Sequence, residues 1–242
     1  MNSWTAFKKF VVAVVFGFIV GKVQQLNHSC NQGPLITPFA KLKPKQNQRF
    51  IYVGVMTTTE FLATRGVELW KSWGHKLDGS IEFYVGGRNM SGDNRRILLE
   101  MEQKLPFHIL SNVDDASYPP QKKSFYMVNH MIKTKLTDYK WFLRSDDDLF
   151  VDTDRLVDFL RRVNETNAHL LGSPGEGNDA DFLDKNQMYC MGGPGMIFSR
   201  GLLSKLNGTL TECLTHLKTN HEDVELSRCV RYKTGINSCG RR

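Results

Sequence analysis

Three consecutive carboxylates, Asp146, Asp147 and Asp148, end an apolar, aromatic-rich run in the segment YKWFLRSDDDLFVD. Tyr139, Trp141, Phe142 and Leu143 read as a short buried strand, and Leu149, Phe150 and Val151 resume the apolar character. Carboxylates held between two apolar segments cannot all be buried without a compensating cation. A strand end that opens on a cleft resolves the conflict if a divalent cation sits there. Mg²⁺ and Mn²⁺ take hard oxygen ligands and commonly share them with a substrate diphosphate. A bare Asp triplet would suit a polar turn. The apolar setting and the motifs downstream decide for the cation.

The chain has 242 residues, enough for one large α/β domain with a proper core. Its formal net charge of +7 fits an anionic partner: a nucleotide, an acidic polysaccharide or a nucleic acid. The positive charges are scattered, and no zinc-finger or RNA-recognition signature accompanies them, so nucleic acid is set aside.

The N-terminus reads as a targeting segment. Lys8 and Lys9 precede an apolar run from Phe10 to Gly21, and Lys22 closes it. The run is short for a bilayer span, but flanking apolar residues and snorkelling lysines extend it. A cleaved signal peptide is the rival, and GKVQQL offers it a poor cleavage site. The expectation is a cytosolic tail over 1–9 and a signal-anchor over 10–23. A polar stem follows over 24–48, with Pro34, Pro38 and Pro44, and then a globular domain over 49–242. Sequons at Asn27, Asn89, Asn164 and Asn207 agree with a lumenal location. The cysteine spacing does not fit a zinc site. In an oxidising lumen Cys190, Cys213, Cys229 and Cys239 can form two disulfides, with the pairing open, which leaves Cys30 over in the stem.

Strand-like runs begin with RFIYVGVMT and continue with IEFYVGG, FHILSNVDD, YKWFLR and HLLGSP. Helical spacing appears over Glu60–Trp73, Asn94–Lys104, Ser124–Leu136 and Thr153–Val163, and HEDVELSRCV begins a further helix. MYCMGGPGMIFSR is a glycine-rich turn between β-like segments. Strands alternating with helices predict an α/β fold with a mostly parallel core.

Three motifs occur in order: RSDDDLFV, YCMGGPGMIFSR and HEDVELSRCV. The glycines of the second permit close backbone approach to a ligand, as they would permit a tight turn. Glu222 and Asp223 in the third sit at a helix start, suited to capping or to a general base that takes a proton from an acceptor hydroxyl. Together the motifs resemble the β1,3-glycosyltransferases of glycosyltransferase family 31. With YVGVMT (Tyr52–Thr57) and SYPPQKKSF (Ser117–Phe125), they are more similar still to the N-terminal domain of chondroitin sulfate synthases and chondroitin polymerizing factor. The resemblance covers roughly Arg49 to Cys239.

The resemblance implies a GT-A (Rossmann-like) nucleotide-sugar transferase fold, a mixed, mostly parallel sheet flanked by helices behind an N-terminal membrane anchor. It implies a UDP-sugar donor, Mn²⁺, a chondroitin acceptor and a single-pass type II topology in the Golgi membrane. It places Asp146 and Asp148 at the metal, with Asp148 the more direct ligand. Thr57, Arg65, Lys123, Asp146 and Asp147 fall on the donor side, and Gly192, Gly193 and Gly195 line the acceptor side. Asp223 becomes the catalytic base, with Glu222 as runner-up. For Arg65 and Lys123 a solvated cation is an equal reading. Two features depart from the family pattern: the late histidine that completes the metal site has no counterpart, and the second transferase domain is absent. The expectation is therefore a C-terminally truncated form. Two functions follow. One is a hexosyltransferase that moves glucuronate, N-acetylgalactosamine or both onto chondroitin, with β1,3-glucuronosyl transfer favoured. The other is a non-catalytic partner that associates with a chondroitin synthase or polymerizing factor.

The anchor and the sequons give a direct expectation. The protein should stay in the membrane pellet after alkaline carbonate extraction and shift in mobility after endoglycosidase treatment. Release into the soluble fraction with no shift would overturn it.

Overall fold

The computed structural model describes residues 48–77, 79–177, 187–236 and 239. The expected tail and anchor, and the stem up to residue 47, lie outside them, as do Asn27 and Cys30. Among the described residues no helix is long and apolar enough to cross a membrane.

The α/β expectation is met. Strand β1 (Arg49–Met56) pairs in parallel with β2 (Ile81–Arg88) on one side and with β4 (Tyr139–Asp146) on the other. Its run of buried residues is what a central parallel strand, covered on both faces, requires. Strand β3 (Phe107–Asp114) adds in parallel beyond β2. On the other flank β8 (Met196–Ser199) runs antiparallel to β4, and β5 (Leu170–Gly172) antiparallel to β8. The order is β3-β2-β1-β4-β8-β5, and β6 (Pro174–Glu176) with β7 (Met188–Cys190) forms a separate ribbon. This mixed, mostly parallel sheet flanked by helices is the GT-A arrangement.

Helices cover both faces. On one side lie α1 (Thr59–Phe61), a π-helical turn (Leu62–Gly66), α2 (Val67–Ser72), α3 (Gly92–Met101) and α5 (Thr153–Leu160). Their Leu62, Leu69, Leu98 and Leu160 pack on Val53, Val55, Phe83 and Trp141. On the other side lie α4 (Gln121–Lys135), α6 (Arg200–Leu206), α7 (Leu210–Cys213) and α8 (Glu222–Thr234). These bury Met127, Met131, Leu203 and Leu226 against Tyr52, Tyr84, Phe142 and Phe198. Successive strand side chains point to opposite faces, so one apolar strand feeds both clusters.

Polar contacts also hold α4 in place. The Tyr52 and Tyr84 hydroxyls lie 2.8 Å apart, and the Tyr84 hydroxyl is 3.0 Å from His130 Nδ1. Burial, then neighbouring His108, pushes the His130 imidazole down to about 4, so it stacks on His108 as a neutral ring, 3.7 Å between centroids. The start of α4, with Lys123 and Ser124, is thereby fixed under the ends of β1 and β4.

Three differences from the sequence expectation stand out. HLLGSP is not one strand: β5 ends at Gly172 and β6 begins at Pro174, in a different sheet. Residues 200–213 form α6 and α7, two helices to which no sequence expectation had been attached. Asn207 and Gly208, the latter at φ 79°, break their periodicity into pieces shorter than the pattern needs. The predicted helix over Thr153–Val163 stops at Leu160. Asn89 and Asn164 of the sequons are exposed, and Asn207 is half-buried.

The open cysteine pairing resolves as Cys190–Cys239 and Cys213–Cys229. The second ties α7 to α8 across a separation of 16 residues, a loop length for which chain entropy gives about 3 kcal/mol. Replacing both cysteines with serine should lower the unfolding free energy by about that amount in a urea titration. An unchanged midpoint would show that the bridge constrains nothing.

Candidate active site

The site lies where β1 and β4 end, at the carboxyl edge of the parallel strands, where α/β sheets open their crevices. The two strands finish in register, Met56 beside Asp146, so Thr57 emerges next to Asp147. A cleft of about 370 Å³ opens there, lined by Thr57, Arg65, Lys123, Asp146, Asp147 and Asp148 among others. All the donor-side residues expected from sequence therefore converge on one cavity.

Within it the residues divide into buried and accessible groups. Asp147 is 9% exposed. It accepts a hydrogen bond from Thr57 Oγ1 at 2.6 Å, and Arg65 Nη1 reaches it at 3.2 Å. Its carboxylate is engaged, so it orients Thr57 and Arg65. Arg65 stays partly exposed over the Phe61 ring, 4.1 Å from its centroid. A solvated cation is therefore an incomplete description of Arg65, which is exposed but tethered to Asp147.

It is wrong for Lys123, which is 3% exposed. Its ammonium donates to the Thr57 carbonyl at 2.7 Å and to the Asp115 carbonyl, and lies 3.2 Å from Asp115 Oδ1. Burial pushes the Lys123 pKa down, and Asp115 opposes that. Asp115 also accepts from the amides of Thr59 at 2.6 Å and Gly86 at 2.7 Å. This knot joins β1, β2, the loop after β3 and α4. It needs glycine at 86, because a Cβ there would come within 2.5 Å of the Asp115 backbone.

Asp146 and Asp148 flank the engaged Asp147. Burial pushes the Asp146 carboxyl up, against the pull of Arg144, whose Nη2 lies 3.0 Å from Oδ1. Asp148 is exposed. No group of three His, Cys, Asp or Glu side chains among the described residues could hold an ion by itself. The donor set nevertheless fits Mg²⁺ or Mn²⁺. These ions favour hard oxygens and are commonly held by one or two carboxylates, with waters and substrate phosphates completing the shell.

Around the glycines expected on the acceptor side, the centre is Arg144, 1% exposed. Nη2 bonds Glu222 Oε2 at 2.9 Å, and Nη1 donates to the Gly192 carbonyl at 3.0 Å. Burial works against the guanidinium, but Glu222 and Asp146 outweigh it and raise its pKa. Glu222 is also buried and accepts from the Ser124 hydroxyl. Burial pushes its carboxyl up, with Arg144 opposing. Asp223 is only half-buried. Its Oδ2 accepts from the Gly192 amide at 2.9 Å and its Oδ1 from the Val224 amide at 2.9 Å. Of the expected glycines, Gly192 packs against Arg144, Glu222 and Asp223, and Gly193 faces open space. Gly195 takes φ +89°, which a side chain would strain.

Arg144, Asp115 and Ser124 went unassigned in the sequence reading. Arg144 carried a signal: an arginine inside WFLRSD, in a run otherwise fit for burial, must have buried partners. Nothing local marked Asp115 or Ser124, whose partners are distant in sequence.

Residues 46–239 match the Fringe-like family, and the chain belongs to it. It is 41% identical over 186 residues to chondroitin sulfate synthase 3 of Mus musculus, covering 75% of this chain and 20% of that protein. It is 25% identical over 166 residues to the β-1,3-N-acetylglucosaminyltransferase lunatic fringe of Xenopus laevis, covering 65% of this chain and 42% of that one. The chain thus spans about a fifth of the length of the synthase it matches. Among solved structures it is similar to the galactosyltransferase LgtC in complex with donor and acceptor sugar analogs, at a TM-score of 0.45 and 14% identity, covering 77% of this chain and 72% of that one.

The Lys123–Asp115 knot can be broken from outside the cleft. Gly86→Ala should displace Asp115 and lower stability by about 1–3 kcal/mol, the cost of leaving buried polar groups unpaired. Chemical denaturation reads this, and wild-type stability would show that the loop yields freely.

Proposed function

We propose that the chain is a metal-dependent, inverting hexosyltransferase of chondroitin synthesis. The favoured reaction of this domain is β1,3 transfer of glucuronate from a UDP-sugar to an N-acetylgalactosamine end. The observation that carries the reading is the division of carboxylates around Arg144: Asp146 and Asp148 toward a cleft that also holds Arg65, and Asp223 toward the glycine turn. Family membership and the identity to a chondroitin sulfate synthase support the substrate class.

A divalent cation between Asp146 and Asp148 would neutralise the leaving diphosphate. The chain's own residues do the rest. Arg65, oriented by Asp147, supplies positive charge to the donor's phosphates. Asp223, held by two amides, takes the proton of the acceptor hydroxyl as its oxygen bonds to the sugar carbon and UDP leaves. Glu222, buried on Arg144 and Ser124, is in a poor place to exchange a proton with substrate. We place the protein in the Golgi membrane with this domain lumenal, on the strength of the lysine-flanked apolar segment and the sequons.

The test is UDP release by the full chain with Mn²⁺, a UDP-sugar and a chondroitin oligosaccharide. Asp148→Ala should abolish Mn²⁺-dependent UDP binding in calorimetry with the fold intact. Asp223→Asn should keep donor binding and cut turnover by about 10²–10⁴-fold, the usual worth of a general base. If Glu222→Gln loses turnover while Asp223→Asn keeps it, the base is Glu222. If the wild-type chain transfers no sugar, yet raises the activity of a co-expressed full-length synthase, the partner role replaces the enzyme.

A further inference from the structure

Arg144 makes three contacts to oxygen acceptors on three separate segments, and its Nη2 also lies 4.0 Å from Met56 Sδ at the end of β1. Nη2 bridges Asp146 Oδ1 at the end of β4 and Glu222 Oε2 at the start of α8, and Nη1 holds the Gly192 carbonyl in the glycine turn. The amide of Gly192 in turn holds Asp223 Oδ2 at 2.9 Å. An unbroken path of short polar contacts therefore runs from Asp146 through Arg144 and Gly192 to Asp223. The Ser124–Glu222 hydrogen bond links the two sides a second time, through α4.

We infer that Arg144 is a positioning residue that couples the donor-side carboxylate Asp146 to the placement of Asp223. The inference rests on the transferase reading and deepens it. Stability alone does not explain the residue, because a buried ion pair is often matched or bettered by apolar residues of similar volume. A rigid planar fork is the side chain that can hold three acceptors at fixed mutual angles. Arg144 is 1% and Glu222 8% exposed, so their pairing is shielded from water. When the donor loads the Asp146 carboxylate, the share of Nη2 held by Asp146 changes. That change is passed to Glu222, the Gly192 carbonyl and the amide that holds Asp223. The base is set for the acceptor by occupancy of the donor cleft.

Arg144→Lys in the full chain tests this, read by thermal melting, UDP calorimetry in Mn²⁺, turnover and amide hydrogen exchange. In the wild type, UDP with Mn²⁺ should slow exchange of the Gly192 and Val224 amides. In Arg144→Lys the fold and UDP binding should persist and that slowing should vanish. Acceptor KM should hold while kcat falls by about 10²-fold, as for a misplaced reacting group. Slowing and kcat both at wild-type values would overturn the coupling while leaving the transferase reading intact. A wild-type chain that neither binds UDP nor transfers sugar would overturn both. If Arg144→Lys does not fold, Arg144→Met/Glu222→Met removes the buried pair together and should fold with the same losses. Should both variants fail to fold, the role of Arg144 is structural and the inference falls.

Discussion

The structure around the site depends on how one positive charge is buried. Arg144 sits in the last turn of pleat before β4 ends, where Trp141, Phe142 and Leu143 have already excluded water. Taking a guanidinium there costs several kcal/mol unless its partners are well placed. Asp146, Glu222 and the Gly192 carbonyl meet that demand from three segments. The strand, the glycine turn and α8 can therefore come together in only one mutual arrangement. The distance between the Asp triplet and Asp223 follows from it, before any substrate arrives.

A second buried cation, Lys123, lines the cleft itself and frames it by different chemistry. Lys123 is a point charge with rotatable donors, and two of its three acceptors are backbone carbonyls. Such a site closes a loop onto a strand end without dictating angles. Arg144 dictates angles and so suits the side where a base must be aimed. The groups left accessible are Arg65 and Asp148, with Asp146 and Asp223 half-buried. Framing and working residues are mostly separate side chains, with Asp146 serving in both roles. In the Asp triplet the separation takes one step of sequence: Asp147 is bound by Thr57 and Arg65, while Asp148 is exposed.

Much of this could be read in the sequence, and what could not has a common cause. The strands β1, β2 and β4 declared themselves because they are long and apolar and lie at the centre of the sheet. The Asp triplet, the glycine turn and the Glu222–Asp223 pair were found because each is compact in sequence. The short helices α6 and α7 were not found, because Gly208 interrupts a pattern that needs several turns to show. The disulfide pairing stayed open because spacing does not encode which ends meet. The roles of Lys123 and Asp115 were hidden for the same reason: one partner, Thr57, lies 66 residues from Lys123. Residue type alone made Lys123 look solvated, and only the fold shows it buried.

Neighbouring carboxylates can be driven to different roles by environment alone, and the pair at the start of α8 shows how. Glu222 and Asp223 are adjacent on the first turn, where the helix dipole favours both. Their faces differ. Glu222 points inward to Arg144 and Ser124, so its two oxygens are occupied by a cation and a hydroxyl. Those two contacts tie Glu222 into the buried scaffold. Asp223 accepts only amide hydrogens, and each carboxylate oxygen retains lone-pair capacity for another donor. Its partners are neutral, and no buried charge depends on it. That asymmetry, set by which residue of an adjacent pair faces the arginine, leaves Asp223 the freer carboxylate and supports the proposal that it, not Glu222, transfers the proton.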